Sequence, residues 1–287
     1  MSAVFKREFK SYFINLLGYI FLGALFAIVG FLTLIENLIS GMAQWEFNLG
    51  YASIFFIILI PLLATRTMCD DKRQHISQLL YSLPISSTAI VLGKYFAMIA
   101  VLGIGCLGIS AVPVILSSFG PIAFRTVFSS LFGFFLLGCL LCALCMFISS
   151  LVGNQIIATL LGILSCAVLY LISLIIGSIP TGALASFVLF IIAVLIVAAV
   201  AYFLSRSALL AVCTAALGII PLSVVYIRSS ASFEGKFAEM ISSIAVFDRY
   251  YTFIYGSFDL TAVLFFLSFT GFCVFLTVQS FDYRRWA

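Results

Sequence analysis

Three patterns in this sequence set chemically capable side chains at regular spacing, and each can be weighed against what its chemistry would need. Cys139, Cys142 and Cys145 recur every three residues. An iron–sulfur or zinc centre built on them would need a fourth ligand and surroundings that tolerate thiolate charge. The run that holds them, FFLLGCLLCALCMF, offers neither, so they read as small buried hydrophobes. Gly103-Ile104-Gly105-Cys106-Leu107-Gly108 spells GxGxxG. The nucleotide-binding version follows a strand and opens a helix; in the middle of an apolar run, close helix packing through small residues is the better account. The third pattern is the charged stretch 66–94, which carries Arg66, Asp70, Asp71, Lys72, Arg73 and His75.

His75 is the single histidine, and it has no Ser–His–Asp partners in its own leaflet. HExxH, GxSxG and paired intramembrane acids do not occur in the sequence, and neither does a Walker lysine motif. The apolar runs also lack ionisable residues near their centres, where ion-coupled carriers and voltage sensors usually place them. No catalytic, cofactor-binding or metal residue is assigned, and the chain is not expected to be an enzyme. Any work it does must be powered from outside, and the stretch 66–94 is the natural entry point. Past its charges, Leu79, Leu80 and Leu83 can share one side of a short helix that Pro84 stops. A small amphipathic helix in a polar loop between two membrane spans suits docking to a cytosolic partner.

The elements that must position these residues follow from composition. The chain has 287 residues, 64% hydrophobic and 8% charged, with a mean hydropathy of +1.30. Soluble domains carry about 25% charged residues, so the expected class is an all-α, polytopic helical membrane protein with no separate soluble domain. Apolar runs of the roughly 20 residues needed to cross a bilayer core fall at about 16–36, 50–66, 89–117, 126–150, 155–177, 184–204, 207–227 and 260–280. That makes eight spans, with six as the alternative count. Pro61 and Pro113 fall inside two of them as candidate kinks. Seven of the eight cysteines lie in such runs, and Cys69 is expected in the loop.

Residues 1–13 read as a basic helix lying in the headgroup plane, not as a cleaved signal. Phe5, Phe9 and Phe13 point to one side of it, and Lys6, Arg7 and Lys10 face elsewhere. Lys and Arg cluster at one set of span ends: Lys6, Arg7, Lys10, Arg66, Lys72, Arg73, Lys94, Arg206, Arg284 and Arg285. The positive-inside rule then places both termini in the cytosol. The segment 228–259 lies outside and is too polar to span. Phe237, Met240, Ile241 and Ile244 predict a helix on the outer surface there, either capping an opening or tucked against lipid. Trp45, Tyr226, Tyr250, Tyr251 and Tyr255 are expected in an outer aromatic belt, with Trp286 at the inner interface.

At this point the chain resembles the ABC-2 type permease family, specifically its gliding-motility-associated branch and Gram-positive relatives. The resemblance runs over nearly the whole length, as a single transmembrane domain 1–287. It rests on FKREFKSYF followed by LLGYIFLGALF, on DDKRQHISQLLYSLPISSTAIVLGK, on SSLVGNQIIA and on FDRYYTFIYGSFDLTAVLFFLS with FLTVQSFDYRRWA. It implies a half-transporter in a bacterial cytoplasmic membrane, paired with a second permease chain and with two copies of a cytosolic ABC ATPase. It leaves room for an extracytoplasmic auxiliary protein and involves lipid but no nucleic acid. It further implies that 67–88 is the coupling loop. Carried over by position, Asp70, Asp71, Lys72, Arg73 and Gln78 are its polar contacts, and Leu79, Leu80 and Pro84 shape its apolar part. Lys94 anchors the next span at the inner interface, as Lys6, Arg7, Lys10, Arg284 and Arg285 do elsewhere. His75, Ile76 and Ser77 depart from the family pattern, and the missing threonine removes a helix cap. The implied function is export of a lipidic, amphipathic or peptide substrate. The alternative is an ABC-type scaffold that moves an envelope or motility partner without transporting anything.

Overall fold

The computed structural model describes residues 1–42, 44–73, 86–178, 180, 182–205, 216–219, 221–223, 225–226, 228 and 233–286, with the backbone alone over 70–73, 196–197, 199–205 and 284–286. Among the described residues the regular structure is helical. Six helices are long and apolar enough to cross a membrane: Leu17–Ile39, Glu46–Cys69, Ser87–Leu116, Phe124–Leu151, Gln155–Ile176 and Leu260–Tyr283. The chain is therefore a multi-pass helical membrane protein. The expected span 184–204 coincides with a helix at Ala183–Ser205, whereas much of 207–227 lies outside the described residues.

The chain forms two compact units, Met1–Tyr170 with Val246–Ala287, and Leu171–Ala245. In the first, helix α1 (Ser2–Ile14) leads into α2 (Leu17–Thr33) through Asn15 and Leu16. Leu16 sits in the left-handed region at φ 60°, a conformation that costs a non-glycine residue about 1–3 kcal/mol. The sharp turn sets Gly18 against Tyr12, where an added Cβ would lie 3.1 Å from the Tyr12 carbonyl oxygen. A π-helical turn, Leu34–Ile39, ends the first span, and α3 (Glu46–Arg73) returns beside it. Helix α4 (Ser87–Ile109) breaks at Ser110 before the short α5 (Ala111–Leu116). Pro113 explains the break: it has no N–H to give the carbonyl of Ile109, four residues back. Pro61, by contrast, lies within the continuous α3.

Helix α6 (Phe124–Leu151) is the axis of this unit, packing against α3, α4, α10 (Val246–Ile254) and α11 (Leu260–Trp286). Its sequence explains why. Ser129, Ser130, Gly133, Gly138, Cys139, Cys142, Ala143, Cys145 and Ser149 are all buried, and small residues let neighbouring backbones approach closely. The three spaced cysteines thus sit in the packing core, and Cys145 Sγ meets Cys166 Sγ at 3.6 Å across to α7 (Gln155–Ile176). The glycine motif also packs: an added Cβ would fall 2.8 Å from Leu25 at Gly105 and 2.5 Å from Phe26 at Gly108. Those two glycines are where α2 crosses α4.

The segment 228–259 holds two helices, not the single surface helix expected. Helix α9 (Lys236–Ile244) packs within the second unit on α8 (Ala183–Ser205), through a ring cluster of Phe187, Phe190, Tyr226, Phe233 and Phe237. Of its four spaced apolar residues, Phe237 is buried while Met240 and Ile244 are exposed. Helix α10 is a wedge in the first unit, with Val246, Phe247, Tyr250, Phe253 and Ile254 buried against α3 and α6. The expected aromatic belt is corrected accordingly. Tyr250 and Trp45 are wholly buried, and Trp45 Nε1 donates to Thr33 Oγ1 at 3.1 Å. Tyr255 is exposed.

Candidate functional site

The polar loop expected from Arg66 onward begins later. Helix α3 continues through Arg73 and α4 starts at Ser87, so 67–73 and 87–88 of the expected coupling loop are helical. Cys69 is buried in α3 and not in a loop. Asp70, Asp71, Lys72 and Arg73 form the last turn of α3. Gln78, Leu79, Leu80 and Pro84 lie outside the described residues, as does His75.

What the structure places directly ahead of that stretch is a polar clamp. Thr65, Thr67, Cys69, Lys94 and Ser149 are all buried. Ser149 Oγ, on α6, donates to the Thr65 carbonyl at 2.9 Å and lies 3.3 Å from Cys69 Sγ. Thr65 Oγ1 meets Thr159 Oγ1 of α7 at 2.9 Å, while Gly162 sits against Pro61 one turn earlier. Tyr12 of α1 donates its hydroxyl to the Leu63 carbonyl at 3.2 Å. Lys94 of α4 donates to the Thr67 carbonyl at 2.6 Å and to Glu8 Oε1 of α1 at 3.3 Å. The stretch of α3 from Leu63 to Cys69, within its last three turns, is thus tied to four other helices by side chains that reach its carbonyls and side-chain hydroxyl and thiol groups. In a low-dielectric interior such bonds are strong, and each leaves a costly orphan if one partner is lost.

Lys94 was expected at the interface and is instead enclosed by protein, its ammonium fully buried. The reason is Glu8: a buried ammonium is tolerated when a carboxylate and a carbonyl are brought to it. Lys6 and Lys10 do lie on the exposed side of α1, and Arg7 there is 45% exposed while paired with Glu8. Arg284 and Arg285 belong to the last turn of α11. The buried face of α1 is Val4, Glu8 and Tyr12, one helical turn apart. The phenylalanines run along its flank, Phe5 stacked on Phe9 at 5.9 Å and Phe9 tilted against Phe13 at 5.1 Å. Sequence reading missed Glu8, Tyr12, Thr65, Thr67 and Ser149. Glu8 left one signal, as the lone acid among Lys6, Arg7 and Lys10, spaced four residues from both Val4 and Tyr12.

Burial would raise the Glu8 carboxyl, but Lys94 and Arg7 outweigh it and hold Glu8 below its ordinary value of 4.5. The folded chain therefore favours ionised Glu8. That stabilisation is complete above the unfolded carboxylate value and is lost as pH falls through the lower folded one. Wild-type thermal stability should lose a component only below about pH 4.5, and Glu8→Gln should abolish that component while lowering stability at neutral pH. Thermal melts in detergent from about pH 3 to neutral pH, spanning the window below the unfolded carboxylate value, check both signs.

At the far end of α3 a second polar group closes the α2–α3 hairpin. Asn48 Nδ2 donates to Asn37 Oδ1 at 2.6 Å, and Asn37 Nδ2 donates to the Met42 carbonyl. The wedge α10 packs at this same end, with Ile254 against Gly50 and Phe253 against Gly133. Helix α3 is therefore pinned at both ends with apolar packing between. Such a helix is held along its length by its neighbours, with polar contacts toward each end. No protein-family model matches the sequence, and no curated protein does.

Proposed function

We propose that this chain is the permease half of an ATP-driven exporter in a bacterial cytoplasmic membrane, working with a second permease chain and two cytosolic ATPase subunits. In this reading both termini are cytosolic, the chain crosses eight times, and 74–85 is the seat of the ATPase, with Leu79 and Leu80 as its apolar grip. The observation that supports it is the clamp on α3. The part of α3 that leads toward 74–85 is the part bonded to α1, α4, α6 and α7, so a force delivered to that end of α3 is shared with four other helices. Rigid-body motion of packed helices is a usual switching mode. At the other end, α10 wedged between α3 and α6 is the element such a motion would displace first. The apolar runs carry no ionisable residues near their centres, which favours lipidic, amphipathic or peptide cargo over ions.

Leu79→Ala with Leu80→Ala should abolish co-purification of an ATPase with the chain, without shifting its melting temperature. A single Leu→Ala truncation at a packed site typically removes about 2–5 kcal/mol, and the double variant removes two such side chains from the proposed grip. An ATPase that stays bound to the double variant, or a chain that never copurifies with one from its native membrane, sinks the reading.

A further inference from the structure

We propose that α1 is a latch through which anionic lipid headgroups hold the end of α3 in place. Two features of α1 meet in this statement, one outward and one inward. Outward, Lys6 and Lys10 are exposed and Arg7 is half-exposed. Only Asn15 and Leu16 separate α1 from the first membrane-spanning helix, so these cations must lie at the level of the lipid headgroups. Basic side chains at that level attract anionic phospholipid, and zwitterionic lipid offers them no net charge. The partner class is thus set by charge complementarity: a phospholipid with a net negative headgroup.

Inward, α1 reaches α3 twice. Tyr12 bonds the Leu63 carbonyl directly, and Glu8 reaches the Thr67 carbonyl through Lys94. Arg7 and Lys94 share the same Glu8 oxygen, which links the exposed cationic side to the buried pair one residue away. Headgroups that draw Lys6, Arg7 and Lys10 to the surface fix the depth of α1, and with it the seating of Glu8 on Lys94. Loss of that attraction frees α1 to lift, which takes the Tyr12 and Glu8 contacts from α3. This inference stands whether or not an ATPase drives the chain.

Cys69 reports the seating, because it is buried at the clamped end with Sγ 3.3 Å from Ser149 Oγ. The purified full chain is placed in nanodiscs of phosphatidylglycerol or of phosphatidylcholine, alkylated with a maleimide, and Cys69 modification is followed by peptide mass spectrometry. Modification should be roughly thirtyfold slower in phosphatidylglycerol, the scale that two lysines at an anionic surface supply. Lys6→Gln with Lys10→Gln, both on the exposed side, should erase the difference without unfolding the chain. Glu8→Gln should give fast modification in both lipids. Equal Cys69 rates in the two lipids overturn the proposal, as does a lipid dependence that survives Glu8→Gln. Phosphatidylglycerol that raises the melting temperature yet leaves the Cys69 rate unchanged also overturns it, since it would show binding without a latch.

Discussion

Lys94→Met is expected to destabilise the chain by about 3–5 kcal/mol, the loss typical when one member of a buried ion pair is removed. Methionine fills nearly the same volume, so the loss will not come from a cavity. It comes from Glu8, whose carboxylate keeps only Arg7, and from the Thr67 carbonyl, which loses its ammonium donor. Glu8→Gln should cost less, because a neutral amide leaves no buried negative charge and Lys94 keeps its bond to Thr67. The double variant Glu8→Gln with Lys94→Met should then be more stable than the sum of the single losses predicts. A gap of about 1–3 kcal/mol in that cycle is the coupling expected of residues in one polar network. Denaturation in mild detergent of the four proteins measures it. Additive losses would mean that Glu8 and Lys94 do not act on one another. Arg at position 94 should not restore the wild type, since its planar fork is bulkier than the point charge that fits between Glu8 and Thr67.

The second large effect is at Gly133 of α6. A Cβ there would lie 2.8 Å from both Cβ and Cγ of Phe253 and 2.9 Å from Cδ2. The nearest of these is fixed to the α10 backbone, so it cannot swing aside as a side-chain tip would. Gly133→Ala should therefore push α10 away from α6, at a cost of about 1–3 kcal/mol in line with other overpacked cores. Trimming the partner to alanine should not rescue it fully, because the Phe253 Cβ remains. Gly271→Ala on α11 is the control. Nothing lies within 4 Å of its Cβ position, and relief of glycine's backbone entropy should make it neutral or stabilising by about 0.5–1 kcal/mol. Melting temperatures of the three variants decide the matter. A loss at Gly271 as large as that at Gly133 would show that the α6–α10 contact is not what makes the Gly133 change costly, since helix propensity favours alanine at both sites.

The contrast between the two glycines shows what kind of information the sequence carries. Both sit in apolar helical runs and nothing local distinguishes them; the difference is another helix arriving at one and not at the other. Gly105 and Gly108 were legible as packing sites because several small residues in one run imply a close neighbour, although not which neighbour. The wedge α10 was legible too, in hindsight. Val246, Phe247, Tyr250, Phe253 and Ile254 follow helical spacing, but the polar residues between them made the segment read as a surface connection.

Residue by residue, the sequence alone determined that this chain is helical and lives in a membrane. Run length and the scarcity of charge leave no other way to satisfy the backbone in lipid. It also located α1, the stretch of charge after the second span, and the proline that breaks α4. The tertiary structure decided the fate of Lys94. From local pattern a lysine near a span end snorkels to the headgroups, and only the rotation of α4 turns this one inward. Glu8, 86 residues away in the chain, is what makes that rotation affordable. Partners this distant are brought together by how helices pack against one another, and no short window of sequence records that geometry.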